Sequence, residues 1–181
     1  TKQKYFLKPP AFSKNNFLPQ DVFSADENEE DKLKDFVKKN YFGIYPPFEI
    51  GKKTIIYNFH GGAEWTGASV DPFNGVMYVT ANNIPWITEI YEEKSLFKFK
   101  YKNKFKRFLT QESLPASKPP WGTLSAINLN NREIIWQVPF GNYDSINLPD
   151  FPVTGTENFG GATATASGIV FASGTLDKKI R

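Results

Sequence analysis

From residue 68 onward the chain repeatedly doubles back on itself over short distances, and this limits its possible folds more than any other feature. Ala68-Ser69-Val70-Asp71 meets the turn Pro72-Phe73-Asn74-Gly75 and returns as Val76-Met77-Tyr78-Val79-Thr80. The Asn-Gly pair supplies the positive φ that a tight hairpin turn requires. Thr123-Leu124-Ser125-Ala126-Ile127-Asn128 and Ile134-Ile135-Trp136-Gln137-Val138 form a second such pair across Asn130-Asn131-Arg132. Ala162 to Ala166 and Ile169 to Ser173 form a third across Ser167-Gly168. Upstream, Thr54-Ile55-Ile56-Tyr57 is another brief β-branched and aromatic run. Short antiparallel hairpins in series point to a sandwich, a barrel or a propeller.

The composition supports a packed protein. With 181 residues, 40% hydrophobic and 16% aromatic, the chain is long and apolar enough for a core and unlike a disordered segment. A net charge of +3 selects no class of partner. The absence of cysteine excludes disulfides, zinc ribbons, thiol catalysis and attached c-type haem from this chain. No apolar run approaches the roughly 18 residues of a membrane span. Thr1 stands where an initiator Met would, no signal-peptide core follows, and the last strand pattern is unfinished. These features predict a piece of a longer chain.

One segment reads as a helix. Ser24-Ala25-Asp26-Glu27 has capping-box spacing, acidic residues fill the first turn, and Lys34, Lys38 and Lys39 fill the last. With the apolar stripe Leu33, Phe36 and Val37, this predicts a helix over about 25–39. Residues 1–23, with Pro9, Pro10 and Pro19, read as irregular. Within 92–108, Phe97-Lys98-Phe99-Lys100-Tyr101-Lys102 alternates rings and cations, and Lys104, Lys106 and Arg107 extend the charge. Alternation places rings on one face of a strand and lysines on the other. Such a strand could meet nucleic acid or anionic lipid, but an exposed edge guarded by lysines is the favoured reading. No nucleic-acid partner is assigned.

More specific signals lie in longer motifs. Ala126-x-Asn128-x-x-x-Arg132-x-x-x-Trp136 resembles the tryptophan-docking repeat of quinoprotein propellers, with Asn128 for its Asp and Arg132 for its Gly. In that repeat the polar residue caps the turn and the Trp packs on the neighbouring blade. Three further stretches occur in consistent order. His60-Gly61-Gly62-Ala63-Glu64-Trp65-Thr66-Gly67 runs on to Tyr78-Val79-Thr80-Ala81-Asn82-Asn83-Ile84-Pro85-Trp86; Lys118-Pro119-Pro120-Trp121-Gly122-Thr123-Leu124 leads into the repeat; and Thr154-Gly155-Thr156-Glu157-Asn158-Phe159-Gly160-Gly161 precedes Thr175-Leu176-Asp177-Lys178-Lys179-Ile180-Arg181. Together, over about residues 1–12 and 40–181, they resemble the C-terminal blades of the membrane-associated quinoprotein glucose dehydrogenase family.

The resemblance implies an all-β fold, part of an eight-bladed propeller of four-stranded antiparallel sheets, with one short helix near residues 25–39. Residues 1–181 would form one partial propeller domain, irregular and helical over about 1–50, with blade segments over about 51–181. It implies pyrroloquinoline quinone near the axis, with Ca²⁺ or Mg²⁺ polarising its carbonyl. An Asp base takes the hydroxyl proton of a sugar or alcohol, hydride goes to the quinone, and electrons pass on to ubiquinone or a cytochrome. A periplasmic location is implied, with attachment to the inner membrane through a missing N-terminal segment. The catalytic Asp, the metal ligands and a quinone-binding Lys are expected upstream of Thr1, so no catalytic or metal-binding residue is assigned here and the piece alone is expected to be inactive.

The cofactor-facing candidates are Glu64 and Trp65, at the family's Gly-Gly-x-Asn-Trp segment, and Asn158 and Phe159 in the last blade. Glu64 departs from the family's Asn, and a carboxylate beside an anionic cofactor needs a proton or a cation. Its alternative is a plain ion pair with a nearby Lys. Trp86, Trp121 and Trp136 are expected in cores or between blades, His60 in a structural or solvated turn, and Asn82 and Asn83 in turn hydrogen bonds. The rival overall reading is a non-enzymatic propeller scaffold for protein–protein interaction.

Overall fold

The computed structural model describes residues 7–93 and 101–181. Phe97 to Lys100, part of the ring-and-lysine alternation, lie outside the described residues. The helix α1 is Glu27–Lys38, and the strands are β1 Tyr41–Phe42, β2 Lys53–Tyr57, β3 Ser69–Asp71, β4 Val76–Asn82, β5 Pro85–Glu92, β6 Tyr101–Arg107, β7 Gly122–Asn128, β8 Glu133–Pro139, β9 Ala162–Ala164 and β10 Val170–Ala172. Among the described residues they form two four-stranded sheets and a two-stranded one, none closed on itself. All three hairpins read from the sequence are present. Two compact units account for the described chain: residues 7–13 with Gly61–Asn83 and Pro119–Arg181, and Lys14–His60 with Ile84–Lys118.

The Lys14–His60 and Ile84–Lys118 unit packs α1 and its flanking loop with the sheet β1-β2-β5-β6. β2 and β5 pair antiparallel from Lys53↔Glu89 to Tyr57↔Pro85, and β6 continues the ladder as the last strand. Its core is apolar: Phe17, Val22, Val37, Ile55, Tyr57, Ile87, Phe108 and Ala116, with Leu33 and Phe36 of the helix packed against it. The Phe17 ring meets Tyr57 edge-on at 5.0 Å. The predicted stripe of α1 therefore does face a core.

The helix start differs from the sequence reading. Asp26, not Ser24, is the N-cap, accepting hydrogen bonds from the backbone N–H of Asn28 (2.8 Å) and Glu29 (3.2 Å). Ser24 stands two residues earlier and donates its hydroxyl to Glu29. Asp caps as well as Ser, and the later start lets Ser24 secure the approach to the helix. Strand β5 was not read from the sequence, although Ile87-Thr88-Glu89-Ile90-Tyr91 carries the β-branched and aromatic signal. Every residue of β6 is exposed, including Tyr101 and Phe105, so its rings do not form a buried face.

The other unit holds the sheet β3-β4-β7-β8 and the hairpin β9–β10. β4 and β7 pair over seven residues, from Val76↔Asn128 to Asn82↔Gly122. Both hairpin turns of this sheet are closed by a side chain that mimics the backbone. Asp71 Oδ1 accepts from Phe73 N (2.9 Å) and Asn74 N (3.3 Å). Asn128 Oδ1 accepts from Asn130 N (2.8 Å) and Asn131 N (3.2 Å). Four residues after each capping side chain the chain enters the left-handed region, at Gly75 (φ 64°) and Arg132 (φ 61°). Asn128 thus closes its turn as Asp71 closes the other, whereas Arg132 adopts a backbone that glycine takes without a Cβ penalty. Trp136 faces Ala126 across the ladder, 6.0 Å from the Tyr78 ring and still 38% exposed.

Candidate functional site

The candidate residues in the 154–160 segment lie on a strand-like stretch threaded against two others. Trp121 N donates to Thr154 O at 2.8 Å, Thr156 N to Phe140 O at 2.8 Å, and Phe140 N to Gly122 O at 2.8 Å. Further on, Asn158 bridges Thr175 and Phe159 N donates to Gly174 O at 3.1 Å. Glycines on both sides of each crossing, Gly122 with Gly155 and Gly160 with Gly174, permit this approach. A Cβ on Gly122 would lie 1.9 Å from Thr156 O, and one on Gly160 would lie 1.9 Å from Ser173 O. No side chain fits at either crossing. The motifs Gly122-Thr123-Leu124 and Gly174-Thr175-Leu176, placed at the two crossings, repeat one sequence for one geometric task.

Where the threaded segment passes the end of β4, it meets Asn82. Asn82 Oδ1 accepts from Asn158 N at 2.8 Å and from Asn158 Nδ2 at 3.0 Å, while Asn82 Nδ2 donates to Asn158 O at 2.9 Å. The second hydrogen of Asn82 Nδ2 reaches Glu64 Oε1 at 2.8 Å. Glu64 is brought there by its own loop: Asn82 N donates to Gly62 O at 2.8 Å, and Ala63 bridges Ala81. Two of the four candidates, Glu64 and Asn158, are therefore joined through one buried amide. The Lys partner considered for Glu64 is replaced by Asn82.

The candidates differ sharply in accessibility. Asn158 is fully buried, its Oδ1 has no hydrogen-bond partner, and its Nδ2 also donates to Ala81 O at 3.2 Å. Glu64 is half-buried. The rings of Trp65 (93% exposed) and Phe159 (45% exposed) are open. The arrangement pairs exposed aromatic surface with a half-buried carboxylate, both adjoining a buried amide cluster.

Sequence reasoning missed the role of the amides at the end of β4. The hydrogen bonds that Asn82 and Asn83 make to Glu64, Asn158, Pro120 and Trp121 reach distant segments. Both are nearly buried, and Asn83 Nδ2 donates to Pro120 O at 3.0 Å while its N–H reaches Trp121 O at 2.9 Å. The available signal was two adjacent amides closing an apolar strand, Val76-Met77-Tyr78-Val79-Thr80-Ala81, where a buried polar side chain must find partners. His60 belongs to the Lys14–His60 and Ile84–Lys118 unit, where its ring lies 4.4 Å from Trp86. There, a groove of about 950 Å³ beside α1 includes His60, Trp86, Phe105 and Arg107 but none of the four candidates.

Residues 3–181 match the family model described as PQQ: glucose/ethanol/alcohol dehydrogenase, beta-propeller domain. The whole chain aligns at 26% identity with 26% of quinoprotein glucose dehydrogenase A of Acinetobacter calcoaceticus. It is 31% identical, over 81% of its length, to 22% of the probable quinate dehydrogenase (quinone) of Xanthomonas campestris pv. juglandis. Over the same share it is 24% identical to 24% of the glycerol dehydrogenase large subunit of Gluconobacter oxydans. The chain spans about a quarter of the length of these relatives. Among the described residues no helix is long and apolar enough to cross a membrane. With sheets that are antiparallel except for the short parallel pairing of β1 with β2, and a match over nearly every residue, the chain belongs to the β-propeller domain family of the pyrroloquinoline-quinone-dependent dehydrogenases.

Proposed function

We propose that this chain supplies part of the propeller of a dehydrogenase that oxidises a sugar, glucose or another aldose, or an alcohol, with electrons passing to ubiquinone or a cytochrome. The observation carrying this reading is the family match across residues 3–181, which takes in the segments bearing Glu64, Trp65, Asn158 and Phe159. The relatives are named for glucose, quinate and glycerol, which supports a substrate bearing one or more oxidisable hydroxyl groups. When bound, pyrroloquinoline quinone supplies the two-electron oxidation; the protein orients it and tunes its surroundings.

The residues present fit a planar, conjugated and anionic group in a specific way. The open rings of Trp65 and Phe159 offer flat apolar surface on which such a group can stack. Glu64 is a poor neighbour for the group's carboxylates, so it is assigned to its donor side or to a substrate hydroxyl. Asn158 is assigned to hold this edge in shape, because its enclosed side chain leaves no surface for a ligand. The base and the Ca²⁺ or Mg²⁺ ligands belong to parts of the propeller outside this chain. The half-exposed Trp136 is assigned to dock on a neighbouring blade, and residues 1–181 to one propeller domain, with its reaction on the periplasmic side of the inner membrane.

Expression of the full-length protein, reconstitution with pyrroloquinoline quinone and Ca²⁺, and dye reduction across glucose, other aldoses, glycerol, quinate and primary alcohols tests this reading. Quinone-dependent turnover of at least one of them is expected. A folded protein that neither binds the quinone nor reduces dye would leave the scaffold reading in its place.

A further inference from the structure

We infer that Asn82 is a positioning residue for the quinone site, setting the orientation of Glu64 and the threaded strand at Asn158 at the same time. The inference rests on the site reading above. All the hydrogen-bonding capacity of the Asn82 carboxamide is used: two acceptor positions by Asn158 N and Nδ2, and two donor positions by Asn158 O and Glu64 Oε1. The amide's orientation follows from its partners. Asn158 N–H can only donate and Asn158 C=O can only accept, so Oδ1 faces the former and Nδ2 the latter. The hydrogen left on Nδ2 then points at Glu64, which must present an acceptor oxygen.

Neither Asp, Ser nor Ala serves both partners. Asp has the shape but no donor, so it would set a carboxylate against both Glu64 and the Asn158 carbonyl. Ser and Ala are too short to span between the two segments. Asn82 is 4% exposed and its N–H is already given to Gly62 O, which leaves little room for a substitute to move. A Glu at position 64 thus fits this structure because Asn82 offers it a fixed donor, and the carboxylate is held by one oxygen while the other stays available to ligand.

The test uses the full-length protein and four variants: Asn82→Asp, Asn82→Ser, Glu64→Gln, and Asn82→Asp with Glu64→Gln. Quinone dissociation constants are measured by fluorescence titration from pH 5 to 8, beside substrate KM values by dye reduction and thermal melts without quinone. Asn82→Asp should weaken quinone binding about tenfold at pH 8, the scale of one lost charge-assisted hydrogen bond. The loss should shrink towards pH 5, where the two carboxyls can share a proton. In the Glu64→Gln background the donor and acceptor are exchanged, and the Asn82→Asp penalty should fall to about threefold or less. Asn82→Ser gives a penalty without charge, constant with pH, and keeps the test open if Asn82→Asp does not fold. A penalty for Asn82→Asp that is the same at every pH and in both backgrounds overturns the positioning role. If Glu64→Gln alone leaves both quinone affinity and substrate KM unchanged, the underlying site reading fails instead, and the positioning role falls with it.

Discussion

The two compact units differ in what their interiors add to apolar packing. Around Phe17 the core is made of large apolar side chains, with Val22, Val37, Ile55, Tyr57 and Phe108 closing on the ring. Around Asn158, beside the buried Trp121 and Phe140, many small polar groups are enclosed: Thr80, Asn82, Asn83, Thr123, Ser125, Thr154, Thr156 and Thr175. The first kind depends on apolar area taken out of water. The second depends on backbones lying close together and on each polar group finding its partner. A core of side chains suffers most when atoms are removed, whereas a core of crossing backbones suffers most when atoms are added.

The predictions divide along that line. Phe17→Ala should give the largest loss, about 3–5 kcal/mol, by leaving a cavity among side chains that cannot close over it. Hydrogen exchange read peptide by peptide in the full-length protein should show faster exchange in β2 and β5 while residues 154–160 keep their protection. Gly122→Ala adds a single carbon yet should cost about 3 kcal/mol, at the upper end for overpacking, because the atom it meets is the Thr156 carbonyl and not a movable side chain. The same exchange measurement should show deprotection centred on 154–160, with the Phe17 core unaffected. Equal deprotection in both places for either variant would erase the distinction between the two interiors.

A smaller, pH-dependent effect belongs to the polar interior's edge. The Arg181 guanidinium beside Asp177, helped by hydrogen bonds from Thr175 Oγ1, Lys179 N and Asn142 N, holds its carboxyl well below the usual carboxylate range. The resulting stabilisation is complete above the ordinary carboxylate value and disappears as pH falls towards the depressed one. Asp177→Asn should therefore lower the melting temperature at pH 7 and reduce its steepness below about pH 4. The smallest effect is expected at the β7–β8 turn. Arg132→Gly relieves a left-handed backbone at a position where the matching turn already uses Gly75, and should raise stability by about 1 kcal/mol. A loss of stability there would show that the Arg132 side chain contributes more than its backbone costs.

Much of this was legible because it depends on local chemistry. The hairpins follow from Asn-Gly and Asx turns, and α1 from its apolar stripe facing the Phe17 core. Glu64 and Asn158 could be named from their motifs, but not their connection. They lie far apart in sequence, and the residue joining them sits at the end of a third segment, where the preceding apolar run hints that the amide is buried but not which segments it joins. The α1 start shifted because Ser24 and Asp26 are both good caps, and only the path of the preceding loop selects between them. Strand β5 escaped because Pro85 opens it; Pro at the first residue of a strand leaves the rest of the ladder intact.

The lysines of β6 have a consequence for the protein before it finishes folding. This strand is the last in its sheet order, and Lys102, Lys104 and Lys106 recur at every second residue along it. A second molecule adding in register would place ammonium groups opposite one another about 4.8 Å apart, the spacing between strands. Templated growth of fibrils from this strand is therefore opposed by like charge at each step, and chemical acetylation of these lysines would remove that barrier.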